Sequence, residues 1–148
     1  MTGKGLHITD LMIWLCGPVA EVDARSFRQI IEIDFDDTTV MLFRFAQGAT
    51  GYLGTITATA DIFRLQVFGS RAWAEIRGHN QLVVKRVDES EETIDFDPLD
   101  IERAELEAFA DAVAGKTVFP VSRAQAVNNI AVLEAIGRSA SEGGPVSV

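Results

Sequence analysis

The chain has little of what would tie a protein to an oxidising compartment, a metal ion or a nucleic acid. It holds one cysteine, two histidines and four prolines, and 13 lysines and arginines stand against 22 aspartates and glutamates. One thiol, Cys16, excludes an internal disulfide. It sits inside an apolar stretch and reads as a buried, inert side chain. Two histidines and one cysteine argue against a zinc site, and no metal is expected. The net charge of −9 repels phosphates and anionic headgroups, so no nucleic acid and no membrane surface is an expected partner. No apolar run reaches the roughly 18 residues of a spanning helix. Met1-Thr2-Gly3-Lys4 leads into a stretch containing His7 and Asp10 rather than a cleavable apolar region. A cytoplasmic location is the expectation.

What is present is an ordinary globular composition, 47% hydrophobic and 24% charged over 148 residues. A single domain over residues 1–148 is expected, long enough to bury a core without staples. Residues 6–16 are apolar at nearly every position except His7, Thr9 and Asp10. That is the pattern of a helix covered on most sides, and Gly17-Pro18 stops it. Residues 19–27 alternate as a strand. A second extended piece, 29–34, ends in an acidic turn at Asp36-Asp37, and 39–45 is a strand apolar on both faces. Ala46-Gln47-Gly48 is a hairpin connection into 52–59. Strands at 63–68, 73–77, 81–87 and 92–96 follow, joined by tight turns, which gives an antiparallel meander.

The period then changes. Asp97 is the expected N-cap of a helix with Pro98 at its first position. Leu106, Phe109, Ala110 and Val113 supply its apolar stripe, and Gly115 its end. Ser122 and Gln125 form a capping box for a last helix running to about Ser139. Gly143-Gly144 breaks it, and residues 145–148 suit an edge strand. Helix, many strands, then two helices predicts an α+β fold: a mostly antiparallel open sheet with helices packed on one face.

The other face of that sheet needs an account. Thr55, Thr57 and Thr59 share a face of one strand, Arg64, Gln66 and Phe68 of the next, and Trp73 follows. Such a face is either solvated or a subunit contact. Its aromatics favour the contact, a homo-oligomer formed through Thr55, Thr57, Thr59, Phe68 and Trp73.

Among polar residues, His7 is the main candidate for chemistry. Imidazole titrates near neutrality and can give or take the proton of a hydroxyl. Asp10, three residues on, lies near the same helix face, where it could orient the ring or bind a substrate hydroxyl. A capping or packing histidine at a helix start would present the same residues. Asp34, Asp36 and Asp37 lack the glycine-bearing loop of a cation site and read as a charged turn. His79, between Gly78 and Asn80, reads as a solvent-exposed turn residue. Ser70 and Ser122 have no nucleophile-elbow setting, and the acidic run from Asp88 to Glu92 reads as a solvated connection.

The run Gly5-Leu6-His7-Ile8-Thr9-Asp10, on a helix and followed by a strand, resembles the start of the second domain of the Gfo/Idh/MocA oxidoreductases. The resemblance covers essentially the whole chain. Trp14-Leu15-Cys16-Gly17 precedes the first strand. Asp36-Asp37-Thr38 leads into Leu42-Phe43-Arg44-Phe45. Gly48-Ala49-Thr50-Gly51 occupies a turn, and Val67-Phe68-Gly69-Ser70-Arg71-Ala72 a strand and turn with Ala72 where glycine is usual. Phe109, Pro120-Val121-Ser122, Ala126, Asn129 and Ser139 fit the closing helices. The resemblance implies that His7 faces a nicotinamide and a sugar-type substrate, with Asp10 binding substrate. It also marks departures. The Asp or Asn common four positions before the histidine is Gly3 here. The family's lysine and its Gly-rich nucleotide-binding turn belong to a first domain that this sequence does not show; Gly3 and Gly5 have no βαβ setting in which to replace that turn.

Three functional readings follow. The first is the substrate-binding and oligomerisation half of a sugar or polyol dehydrogenase, inactive by itself. Its nucleotide-binding domain lies on another chain or has been lost. No cofactor is expected for this chain alone, and NAD or NADP is implied for a full-length relative. The second is a non-enzymatic dimerising or small-molecule-binding module of the same fold. The third is an unrelated α+β binding domain.

Overall fold

The computed structural model describes residues 4–148, in two compact units: residues 4–59 with 121–148, and residues 60–120. The fold class is α+β, as expected, but the strands form two four-stranded antiparallel sheets rather than one meander.

In unit 1 the helix α1 (Lys4–Cys16) leads to β1 (Val19–Phe27), β2 (Thr38–Phe45) and β3 (Thr50–Ile56). The chain returns in α3 (Arg123–Glu142) and β8 (Val146–Ser147), and the sheet order is β3-β2-β1-β8. Helices α1 and α3 pack on one face of this sheet. The core between them is Ile8, Met12 and Ile13 from α1, Val19, Val22 and Ala24 from β1, Met41, Phe43 and Phe45 from β2, and Val132, Ala135 and Ile136 from α3. Strand β2 alternates strictly. Thr39, Met41, Phe43 and Phe45 are buried, while Val40, Leu42 and Arg44 face away from the helices.

Two glycines make the layering possible. Gly17 has φ +82° and its N–H donates to the Ile13 carbonyl at 2.9 Å, closing α1 so that β1 can start two residues later. At Gly51 an added Cβ would lie 2.6 Å from Met12 Cε and 3.3 Å from the Phe45 ring, so α1 meets β3 where no side chain intervenes. Helix α3 is stitched to β1 by side chains. The Asn128 amide takes the Val19 N–H at 3.1 Å and donates to its carbonyl at 3.4 Å. Ser139 Oγ accepts the Ala24 N–H at 2.8 Å and donates to the Gly144 carbonyl.

The expected extended piece at 29–34 is not a strand. The Asp37 carboxylate accepts the N–H groups of Gln29, Ile30 and Ile31 at 2.9, 2.7 and 3.0 Å, and donors so engaged cannot form a ladder. Asp37 is therefore no solvated turn residue; it is 2% exposed. Those amides, Ile31 and Ile30 foremost, hold its carboxyl well below the usual carboxylate range, against the opposing effect of burial.

In unit 2, β4 (Arg64–Phe68), β5 (Ala72–Arg77), β6 (Gln81–Arg86) and β7 (Glu92–Asp95) pair in sequence order. Helix α2 (Ile101–Val113) follows and starts later than expected. Its N-cap is Asp100, whose carboxylate accepts the Arg103 N–H at 3.0 Å, while Asp97 and Pro98 stay outside the helix. None of its residues is buried.

Candidate functional site

His7 lies one turn into α1 and is exposed, although Gly5, Ile8 and Thr9 around it are buried. The alternation follows from helical geometry. Residues one and two positions away point elsewhere, and Thr9 satisfies its hydroxyl internally on the Gly5 carbonyl at 2.9 Å. The imidazole therefore stands in solvent on a helix whose other side is locked into the core.

Asp10 is half-buried, and its Oδ1 accepts from Gln125 Nε2 at 3.1 Å. Gln125 thus divides its work. Its backbone N–H donates to Ser122 Oγ at 3.1 Å, as the capping motif predicts, but its side chain reaches across to Asp10 instead of back to the cap. One turn further along α3, Asn129 Nδ2 donates to the Leu6 carbonyl at 3.5 Å. Asn129 is 7% exposed, and its Oδ1 has no hydrogen-bond partner among the described residues. Helices α1 and α3 therefore run antiparallel, with two amide side chains of α3 setting the position of the first two turns of α1. The sequence reading placed Asn129 in a closing helix but missed Gln125 as the partner of Asp10. The Asp10 carboxylate is positioned by α3, and its other oxygen has no partner among the described residues.

The residues expected to share an open face do not do so. Thr55 pairs with the buried Thr39 on the helix side of the unit 1 sheet, and its hydroxyl donates to the Thr39 carbonyl at 3.5 Å. Thr57 and Thr59 lie beyond β3, where the Thr57 N–H donates to the Asp37 carbonyl at 2.8 Å. Phe68 and Trp73 face each other across β4 and β5 in the other sheet. Phe68 is 68% exposed and Trp73 half-buried. The reason is register: β3 ends at Ile56, so the threonine column leaves its sheet after one member. The open face of the unit 1 sheet instead carries Val40, Leu42, Tyr52 and Ile56, all exposed, with Leu42 directly opposite Tyr52. Their alternation with Met41, Phe43 and Phe45 was the readable signal for it.

Neither unit supplies a cradle for a dinucleotide. Its pyrophosphate needs a strand, a glycine-rich turn and a helix N-terminus in sequence. Among the described residues the one strand-to-helix passage is β7 to α2, without such a turn, and Gly5 is buried inside α1. Gly3 lies outside the described residues. No group of three or more potential metal ligands converges among the described residues, and no helix there is long and apolar enough to cross a membrane.

Known proteins give this geometry a context. The model of the oxidoreductase family's C-terminal alpha/beta domain, of the Gfo/Idh/MocA group, matches residues 1–148. No curated protein matches in sequence. A protein from Desulfitobacterium hafniense assigned as an NADPH-dependent oxidoreductase superposes with a TM-score of 0.89 at 25% identity, over 99% of this chain and 47% of its own. Levoglucosan dehydrogenase in complex with NADH and levoglucosan superposes at 0.88 with 19% identity, over 99% and 49%. An Agrobacterium radiobacter oxidoreductase bound to NAD+, L-tartaric acid and magnesium gives 0.83 at 21%, over 97% and 47%. The chain thus spans about half the length of the solved proteins it matches.

Proposed function

Because the chain belongs to the Gfo/Idh/MocA oxidoreductase family as its C-terminal alpha/beta domain, we propose that it is the substrate-binding and oligomerisation half of a sugar or polyol dehydrogenase. The observation that carries this reading is an exposed His7 on a helix fixed from behind by Gln125 and Asn129. In this role His7 takes the proton of a substrate hydroxyl as hydride leaves the same carbon for a nicotinamide bound by another domain. Asp10, held through one oxygen, offers the other to a neighbouring hydroxyl. Alone, the chain presents half a pocket, open to water, and lacks the orientation and water exclusion that make proton transfer fast.

The same reading pairs two copies through the open face of the unit 1 sheet. Val40, Leu42 and Tyr52 form its apolar centre, and the Arg44–Glu21 and Arg25–Asp23 ion pairs lie on β1 and β2 beside it. An isologous contact is the simplest closed arrangement.

Two experiments test the proposal. The chain alone should show no saturable NAD(H) or NADP(H) binding by calorimetry. Fused behind the nucleotide-binding domain of a relative, it should reduce NAD(P) with a polyol. His7→Ala in that fusion should lower kcat/KM by about 10²–10⁴-fold. Tight cofactor binding by the isolated chain, or full turnover by the His7→Ala fusion, would sink it. A non-enzymatic module would leave the fusion inert.

A further inference from the structure

His7 and Asp10 stand three residues apart on α1, a spacing at which an imidazolium and a carboxylate reach each other. They do not pair. Gln125 Nε2 takes the Asp10 carboxylate at 3.1 Å, and His7 has no hydrogen bond or ion pair among the described residues.

The Gln125 contact is not a by-product of helix capping. A glutamine at the third position of a helix ordinarily turns back to the N–H of its cap. Here the Ser122 hydroxyl accepts the Gln125 N–H, so the cap is built, yet the side chain crosses 115 residues of sequence to reach Asp10. One turn on, Asn129 Nδ2 donates at 3.5 Å to the Leu6 carbonyl, part of the peptide that joins Leu6 to His7. Helix α3 therefore holds the backbone at His7 with one amide and the side chain of Asp10 with another. Asp10 and Gln125 are half-buried, while His7 is exposed. A carboxylate drawn to α3 is drawn off the solvent edge on which the ring stands. A charge-assisted hydrogen bond away from water is also stronger than an exposed ion pair within one helix.

We propose that Gln125 is a positioning residue that keeps Asp10 from pairing with His7, so that the carboxylate serves a substrate hydroxyl and the imidazole stays free to accept a proton. The substrate's part in this rests on the dehydrogenase reading above. The competition between Gln125 and His7 for one carboxylate does not.

Other charges stand apart from this pair. The elements packed against α1 are α3 and β3. In the register set by the two amides, Arg123 lies beyond the Asp10 end, and Glu134, Arg138 and Glu142 lie a turn or more past Asn129. Strand β3 brings only Tyr52, on the open face of its sheet. Lys4, the other charged residue of α1, is common to every variant below.

The test follows the His7 ring protons by NMR in the 148-residue chain, from about pH 5 to 9. His79, stacked on Phe63 at 4.9 Å in unit 2, is the internal reference. Gln125→Met keeps the length and helix preference of the side chain and removes its donor. In that variant the His7 midpoint should lie about 0.2–0.4 pH units above the wild type, the worth of one intrahelical ion pair. In an Asp10→Asn background the same substitution should move nothing. In the fusion protein, Gln125→Met should raise KM about 3–10-fold, the loss of one well-placed hydrogen bond. Added to Asp10→Asn it should cost nothing further, because it acts through Asp10. A midpoint unmoved or lowered in Gln125→Met overturns the proposal. So does an equal rise without the Asp10 charge, or a fully additive loss in the fusion. A raised midpoint with an inert fusion keeps the competition and removes the dehydrogenase reading; an active fusion with an unmoved midpoint does the reverse.

Discussion

Among the described residues, unit 1 buries a dozen apolar side chains drawn from two helices and two strands, and buried Thr9, Asp37 and Ser139 are hydrogen-bonded to named backbone atoms. In unit 2 only Val83 and Glu75 are buried. Glu75 is a carboxylate between two half-exposed arginines. Arg77 hydrogen-bonds it through Nε, and Arg64 Nε stands 2.9 Å from its other oxygen as an ion pair without hydrogen-bond alignment. Helix α2 leaves Leu106 70% and Val113 73% exposed. The two units have similar secondary structure and different sources of cohesion. One is held by packed apolar area, which scales with burial. The other is held by its ladders and by charges that water screens. Secondary structure content alone therefore says little about where the stability of this chain resides.

The largest expected effect separates the two directly. Phe45→Ala, at a side chain 1% exposed, should cost about 3–5 kcal/mol in urea unfolding. Leu106→Ala on α2 should cost less than about 0.5 kcal/mol. Equal losses would mean that the units are not so different. A second pair contrasts polar contacts. Ser139→Ala orphans the buried Ala24 N–H and should cost about 1–3 kcal/mol. Glu107→Ala removes an exposed ion pair to Arg103, 2.7 Å long with side chains 63% and 74% exposed, and should change stability by about 0.5 kcal/mol or less.

Acid should also act on unit 1 first. A carboxyl whose folded value is depressed stabilises the fold above its unfolded value, about 3.9, and that contribution drains away as pH falls below it. The wild-type urea midpoint should therefore decline below about pH 4, and Asp37→Asn should flatten the decline. Amides 29–31 should lose exchange protection in that variant. An unchanged acid limb would show that Asp37 contributes nothing through its charge. Smallest of all, His7→Ala should leave stability within about 0.5 kcal/mol, because an exposed ring buries little area. A large drop in melting temperature would give His7 a structural role and unit 1 a further anchor.

Much of this was legible from spacing. The first strand, the hairpin at residues 46–48 and the Ser122 cap follow from alternation and capping chemistry, which are local. His7 and Asp10 were legible as a helical pair. What escaped was long-range. The side chain of Asp37 looks like that of any turn aspartate until the chain folds three amides toward it. Gln125 satisfies a local motif and spends its side chain elsewhere. The threonine column failed because alternation shows which residues share a face, but not where the strand stops.

The chain order of unit 1 has a consequence for its synthesis. The amide of Ala24 waits for a serine 115 residues later, and the whole of unit 2 is made in between. Until α3 emerges, the inner face of β2, with Met41, Phe43 and Phe45, has only α1 to cover it. Such distant closures are slow, and an uncovered apolar sheet is what nascent chains aggregate through. The length of the intervening segment thus acts as a timer, fixing how long the nascent domain depends on whatever shields it.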